Sequence, residues 1–149
     1  MPSLFDPADR RSILDRLAAI QSDSPRQWGK MDVAQMMAHC VVPLAIAAGD
    51  LPAKQSWVGR LVAPLVRPSM LGDRPMSRNG PTVPEFKVTD RRQFSTEKER
   101  LRAAIETFAA RGPERVAGRP HPFFGRLSGD EWGLLMHKHL DHHLRQFAV

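Results

Sequence analysis

Four of the six histidines in this 149-residue chain fall within seven positions, His137-Lys138-His139-Leu140-Asp141-His142-His143. Residues four apart share one face of an α-helix, so His139 and His143 can aim their imidazoles at a common point. Trp132, Leu135 and Met136 precede them on that face, and Gln146 follows at the same three/four spacing. An unpaired imidazole on an apolar face is costly to bury, and a metal ion or a hydrogen-bond network relieves the cost. His137 is turned about 200° from His139 and is expected to point away. His142 is turned about 60° to the other side, which places it at the core margin as a supporting residue or substitute ligand.

Two ligands do not complete a metal centre, because such centres generally draw on at least three protein side chains. His39 is the best third candidate. It stands in the most apolar stretch of the chain, three residues after Met36, where a histidine needs a reason. Three neutral imidazoles leave coordination positions open to water or substrate. A divalent ion so held can lower the pKa of water, polarise a carbonyl or hold a thiolate. Imidazole suits zinc, nickel, copper and iron alike, so the ligand type does not select the metal. Cys40, about 100° round the helix from His39, reads as a small buried hydrophobe. His121 precedes a proline in a loop and reads as structural. No general base is evident, since Asp141 is placed to pair with Arg145 at i,i+4. Neither a G-x-S-x-G elbow nor a G-x-x-x-x-G-K-[ST] phosphate loop occurs.

The elements that must position these histidines are helical. Asp6-Pro7 starts a first helix over 7–21, with Ile13, Leu14, Leu17 and Ile20 as its buried stripe. Asp32 caps the second, which carries His39 and stops at Gly49. Pro43 lies inside it and removes the amide that would bond the His39 carbonyl, so a kink is expected there. A short additional helix fits 57–66, bounded by Pro64 and Arg67-Pro68. From Pro68 to Phe94 the chain is loop-like, rich in proline and glycine, and a connection over 67–94 of that length implies a functional role, a crossover or a partner-contacting segment. Ser95 or Thr96 starts a further helix that Gly112-Pro113 ends. Ser128 and Glu131 form a capping box for the last. No convincing alternating strand is present. One all-α domain over 1–149 follows, a bundle of four main helices with a long crossover.

The composition is that of an ordinary globular protein, 42% hydrophobic and 26% charged. No run reaches the roughly 20 apolar residues of a membrane span, and neither a membrane partner nor a secretory signal is expected. The single cysteine excludes an internal disulfide and fits a reducing compartment, so a cytoplasmic location is expected. Net charge is +6. The arginines are dispersed among acidic residues, which reads as a solvated basic surface rather than a nucleic-acid face. A preference for anionic small substrates is compatible with that charge.

Two segments carry a resemblance: Trp28-Gly29-Lys30-Met31 through His39-Cys40, and His121-Pro122-Phe123-Phe124-Gly125 through Gln146-Phe147. The second ends in an H-x-x-H-H-x-x-Q pattern formed by His139, His142, His143 and Gln146. With these the chain resembles the DinB-like (damage-inducible) four-helix metalloprotein superfamily, closest to a bacterial branch of unknown function. The resemblance implies an up-down-down-up four-helix bundle, one metal-binding histidine from the second bundle helix and two from the fourth. These map onto His39, His139 and His143. It further implies nickel or zinc as the metal, a homodimer, and a kinship with transferases and isomerases that use a low-molecular-weight thiol. No thiol pocket is separately identifiable in the sequence. The expectation is a metal-dependent enzyme on a small-molecule substrate, a hydrolase or thiol-dependent transferase. The alternatives are a non-catalytic metal-binding or stress-associated protein, and a basic helical module that binds a partner.

Overall fold

The computed structural model describes residues 1–72, 74–80 and 82–149. Asp73 and Pro81, both within the stretch expected to be loop, lie outside the described residues.

The chain is predominantly helical. Helix α1 (Pro7–Ala19) begins where the Asp6 carboxylate accepts the amides of Ala8 and Asp9, and Pro7 occupies the first turn without sacrificing a bond. It ends two residues earlier than the spacing predicts. Helix α2 (Val33–Ala48) opens with a reciprocal capping box between Asp32 and Gln35 and closes at Gly49, whose φ of 87° is the left-handed conformation that glycine adopts without strain. It runs through Pro43, as the helix-friendly residues beyond that proline predict.

Helix α3 (Trp57–Met70) is longer than expected, because neither Pro64 nor Pro68 ends it. Tertiary contacts hold it instead. Ser56 caps its start, Arg67 pairs with Glu131 at 2.6 Å, and Lys138 donates to the carbonyls of Ser69, Met70 and Gly72 at its end. The last contact meets the carbonyls that every helix C-terminus leaves without intrahelical partners. Gly59 lies flat against the Phe123 backbone, where any side chain would collide.

A 3-10 turn at Pro84–Phe86 interrupts the long connection. Helix α4 (Phe94–Val116) starts just before the expected position. Its helical geometry breaks at Gly112 (φ 76°, ψ 162°), the predicted stop, and resumes for one turn from Pro113. Strands β1 (Pro120–His121) and β2 (Gly125–Arg126) form a small antiparallel hairpin where no strand is expected. The cause is local: the His121 ring accepts the Phe123 and Phe124 amides at 3.0 and 3.2 Å and closes the turn. Helix α5 (Gly129–Gln146) opens with the expected Ser128–Glu131 capping box.

The core lies where α2, α4 and α5 meet, with α1 closing one side. Met36, Met37 and Leu44 from α2 pack with Leu101, Ile105 and Phe108 from α4, all 1% exposed or less. Trp132, Met136 and Leu140 of α5 complete that layer. Close packing here fixes the relative rotation of α2 and α5, and thereby the direction in which their histidines point.

Candidate metal centre

His39 enters the site from the middle of α2, and His139 and His143 from consecutive turns of α5. A candidate ligand nitrogen from each lies within 4.8 Å of those of the other two. The Nε2 atoms of His39 and His139 are 2.9 Å apart. Two nitrogens on one zinc ion at about 2.0–2.1 Å would be separated by about 2.9–3.4 Å, so this pair is close to a chelating geometry. The rings of His39 and His143 have their centroids 4.7 Å apart, as do those of His139 and His143.

The protonation pattern follows from the partners. His39 Nδ1 lies 2.8 Å from the Phe86 carbonyl oxygen, which can only accept, so Nδ1 carries the proton. In the neutral ring Nε2 is then a lone pair aimed into the cluster, and His139 Nε2–H donates to it when no ion is bound. His143 Nδ1 donates to Gln146 Oε1 at 2.8 Å, again leaving Nε2 free. The Gln146 amide is oriented in turn, since its Nε2 donates to the Trp28 carbonyl at 2.8 Å. Hydrogen bonds of this kind to the remote ring nitrogen fix tautomer and orientation in metal-binding histidines.

Burial keeps the imidazoles neutral. His39 and His143 are 3% and 8% exposed, while His139 is partly exposed. Desolvation pushes His143 down to about 3, helped by repulsion from His39 and opposed by the Gln146 bond. Desolvation and then His143 hold His139 well below the ordinary histidine range. His39 is lowered by desolvation against the pull of the Phe86 carbonyl. Neutral imidazoles are the form that binds metal.

The two sequence segments that carry the resemblance meet at this point. Gly29 has a φ of 81° and lies so near Gln146 that a side chain there would collide with the amide. Its smallness therefore protects the hydrogen bond that orients His143. The structure adds one group that sequence reasoning missed, the Phe86 carbonyl from the 67–94 connection. The only available signal was a lone phenylalanine in a proline-rich stretch; a main-chain oxygen has no signature of its own.

The model of the family described as "Protein of unknown function (DUF1569)" matches residues 6–149. The chain belongs to that family. No curated protein and no solved structure matches it. The matched span takes in all three clustered histidines, Gln146 and the Trp28-Gly29 turn.

The remaining candidates fall elsewhere. His142 is not one of the three clustered histidines but packs against them, its ring centroid 5.0 Å from that of His143 and 5.5 Å from that of Trp28. It lines a neighbouring open cleft of about 510 Å³ with Trp28, Met76, Arg78 and Arg145. The Arg78 guanidinium sits 4.4 Å above the Trp28 ring, within cation–π range. His137 is not among the three clustered histidines. Asp141 pairs with Arg145 at 3.1 Å, as the spacing predicts, and also with Arg16 at 2.8 Å. Cys40 is fully buried and its thiol is pushed far up by desolvation, so it offers no thiolate. His121 is buried in the hairpin, in the structural place expected of it.

Proposed function

We propose that His39, His139 and His143 hold a divalent metal ion, and that the protein is a metal-dependent enzyme acting on a small-molecule substrate. The observation that carries this reading is the convergence of three neutral imidazoles. Two of them have Nδ1 tied to an acceptor and Nε2 left for coordination. An ion held by three imidazoles supplies Lewis acidity at the positions left open. Nickel and zinc are the first candidates, and hydrolysis or thiol-dependent transfer are the reactions to assay. The partly exposed His139 marks the side from which substrate would arrive. The cleft lined by His142, which packs on His143, sets Arg78 and Arg145 against one carboxylate, Asp141, and suits an anionic substrate. We further read α1, α2, α4 and α5 as a DinB-like bundle of up-down-down-up order, with α3 as an addition to it. A homodimer and a cytoplasmic location belong to the same reading.

One observation favours a second, non-catalytic reading. Asp141, the carboxylate beside the cleft, is held by two arginines and is a poor general base. Metal storage or sensing needs no base.

The test is metal stoichiometry in protein purified without nickel affinity. One ion per chain is expected in the wild type and in His137→Ala, and none in His139→Ala or His143→Ala. Equal retention in all of them overturns the site. Hydrolase and thiol-transfer assays on the loaded wild type then separate the two readings.

A further inference from the structure

Helix α3 is docked with the opposite polarity to the other helices. Its buried residues are the small ones, Gly59 and Ala63, and Gly59 touches the Phe123 backbone. Its large apolar side chains face outward: Trp57 is 74% exposed, Leu61 69% and Leu65 81%, with Val58 and Val62 beside them. These five positions span an arc of about 140° on the helix surface. Scattered exposed apolar residues are ordinary, whereas a contiguous stripe of this kind marks a contact surface. The stripe cannot relieve itself by turning inward. The Ser56 cap, the Arg67–Glu131 pair and the Lys138 contacts fix the rotation of the helix.

Charge identifies the occupant. No acidic residue occurs from Leu51 to Gly72. Arg60 is exposed at the edge of the stripe and Lys54 is exposed just ahead of the helix, and among the described residues no carboxylate pairs with either. The whole chain carries a net +6. A second copy would bring an equally uncompensated basic edge against this one. A surface that is apolar below and anionic above complements both parts of the pattern. Helices with a tryptophan- and leucine-bearing face and a cationic edge lie in the plane of a lipid interface. No helix is long and apolar enough to cross a membrane, and α3 has no need to.

We propose that α3 docks the protein on an anionic lipid surface, with Trp57, Leu61 and Leu65 entering the acyl boundary and Lys54 and Arg60 meeting headgroups. The absence of a spanning run in the sequence speaks to crossing and leaves surface docking open. The proposal is independent of the metal reading.

The test is sedimentation of the full chain with phosphatidylcholine vesicles, with and without roughly a third phosphatidylglycerol. Binding to the anionic vesicles is expected to be about tenfold or more tighter than to neutral ones and to weaken with salt. Trp57 emission should shift to the blue on binding. Leu61→Ser with Leu65→Ser should abolish the binding while leaving the melting temperature unchanged, because both side chains are solvent-facing in the free protein. Arg60→Glu should weaken it about tenfold. Failure to bind anionic vesicles overturns the proposal, as does equal binding to neutral ones or retention of binding in the serine variant. A solution dimer that the serine variant converts to monomer would assign the stripe to a second copy and overturn it equally.

Discussion

His143 coordinates nothing by itself; what prepares it is the relay from Trp28 through Gln146. The Trp28 carbonyl fixes the amide, the amide oxygen takes the Nδ1 proton, and Nε2 is left facing His39 and His139. Gln146→Ala should therefore weaken metal binding by about 10–100-fold in a chelator competition, with all three imidazoles still present. Unchanged affinity would mean that the amide plays no part. A second residue-scale consequence concerns acid. His121 accepts two backbone amides on Nδ1, and burial brings it down to about 4 from the ordinary 6.5. The unfolded chain takes up this proton first, so the stability tied to neutral His121 is complete above pH 6.5. It is lost as the pH falls toward 4 and is level below that. The separation corresponds to about 3 kcal/mol. Urea melts across this window, with chelator present, should show the decline, and His121→Gln should make it shallower, leaving the share of His39, His139 and His143, which burial also holds below the ordinary range. An identical profile in the variant would remove His121 as its source.

At the scale of elements, both histidine-bearing helices begin with a capping box, and these signals are readable directly from Asp32-x-x-Gln35 and Ser128-x-x-Glu131. Ser128→Ala should cost about 1 kcal/mol of stability. Metal affinity should stay unchanged, since His139 lies three turns further on; a parallel loss of both would show that fraying reaches the site. Helix α3 teaches the complementary lesson. Proline argues for a helix end on local grounds, yet α3 runs through Pro64 and Pro68: the carbonyls they deprive of an amide, those of Arg60 and Pro64, belong to exposed residues, and Lys138 from a distant helix meets the carbonyls at the helix end. Lys138→Met should remove these bonds, destabilise the protein by about 2 kcal/mol and speed amide exchange in Arg67, Ser69 and Met70. Unaltered exchange there would show that the helix end is held by something else. The clustering of His39, His139 and His143 was legible because helical periodicity and apolar neighbours are written in side chains. The Phe86 carbonyl, the extent of α3 and the small hairpin were not, because each depends on which segments meet in space.

For the molecule as a whole, the three histidines tie α2 to α5, and Phe86 joins the intervening connection to the same point. An ion bound there stabilises only the folded chain, by about 2.7 kcal/mol at a hundredfold excess over its dissociation constant. For a protein of this size the melting temperature should rise by roughly 5–10 °C with zinc or nickel. His139→Ala should show no rise; an equal rise would place the ion elsewhere. The same feature has a consequence for biosynthesis. His39 and His139 are separated by 100 residues, and at about 5–20 residues per second a ribosome needs on the order of 5–20 s to travel between them. A nascent chain therefore offers His39 to the surrounding medium long before its partners exist. On the proposed reading, the complete triad is available only once α5 has been made, and the supply of free ion from that moment would decide which metal occupies it.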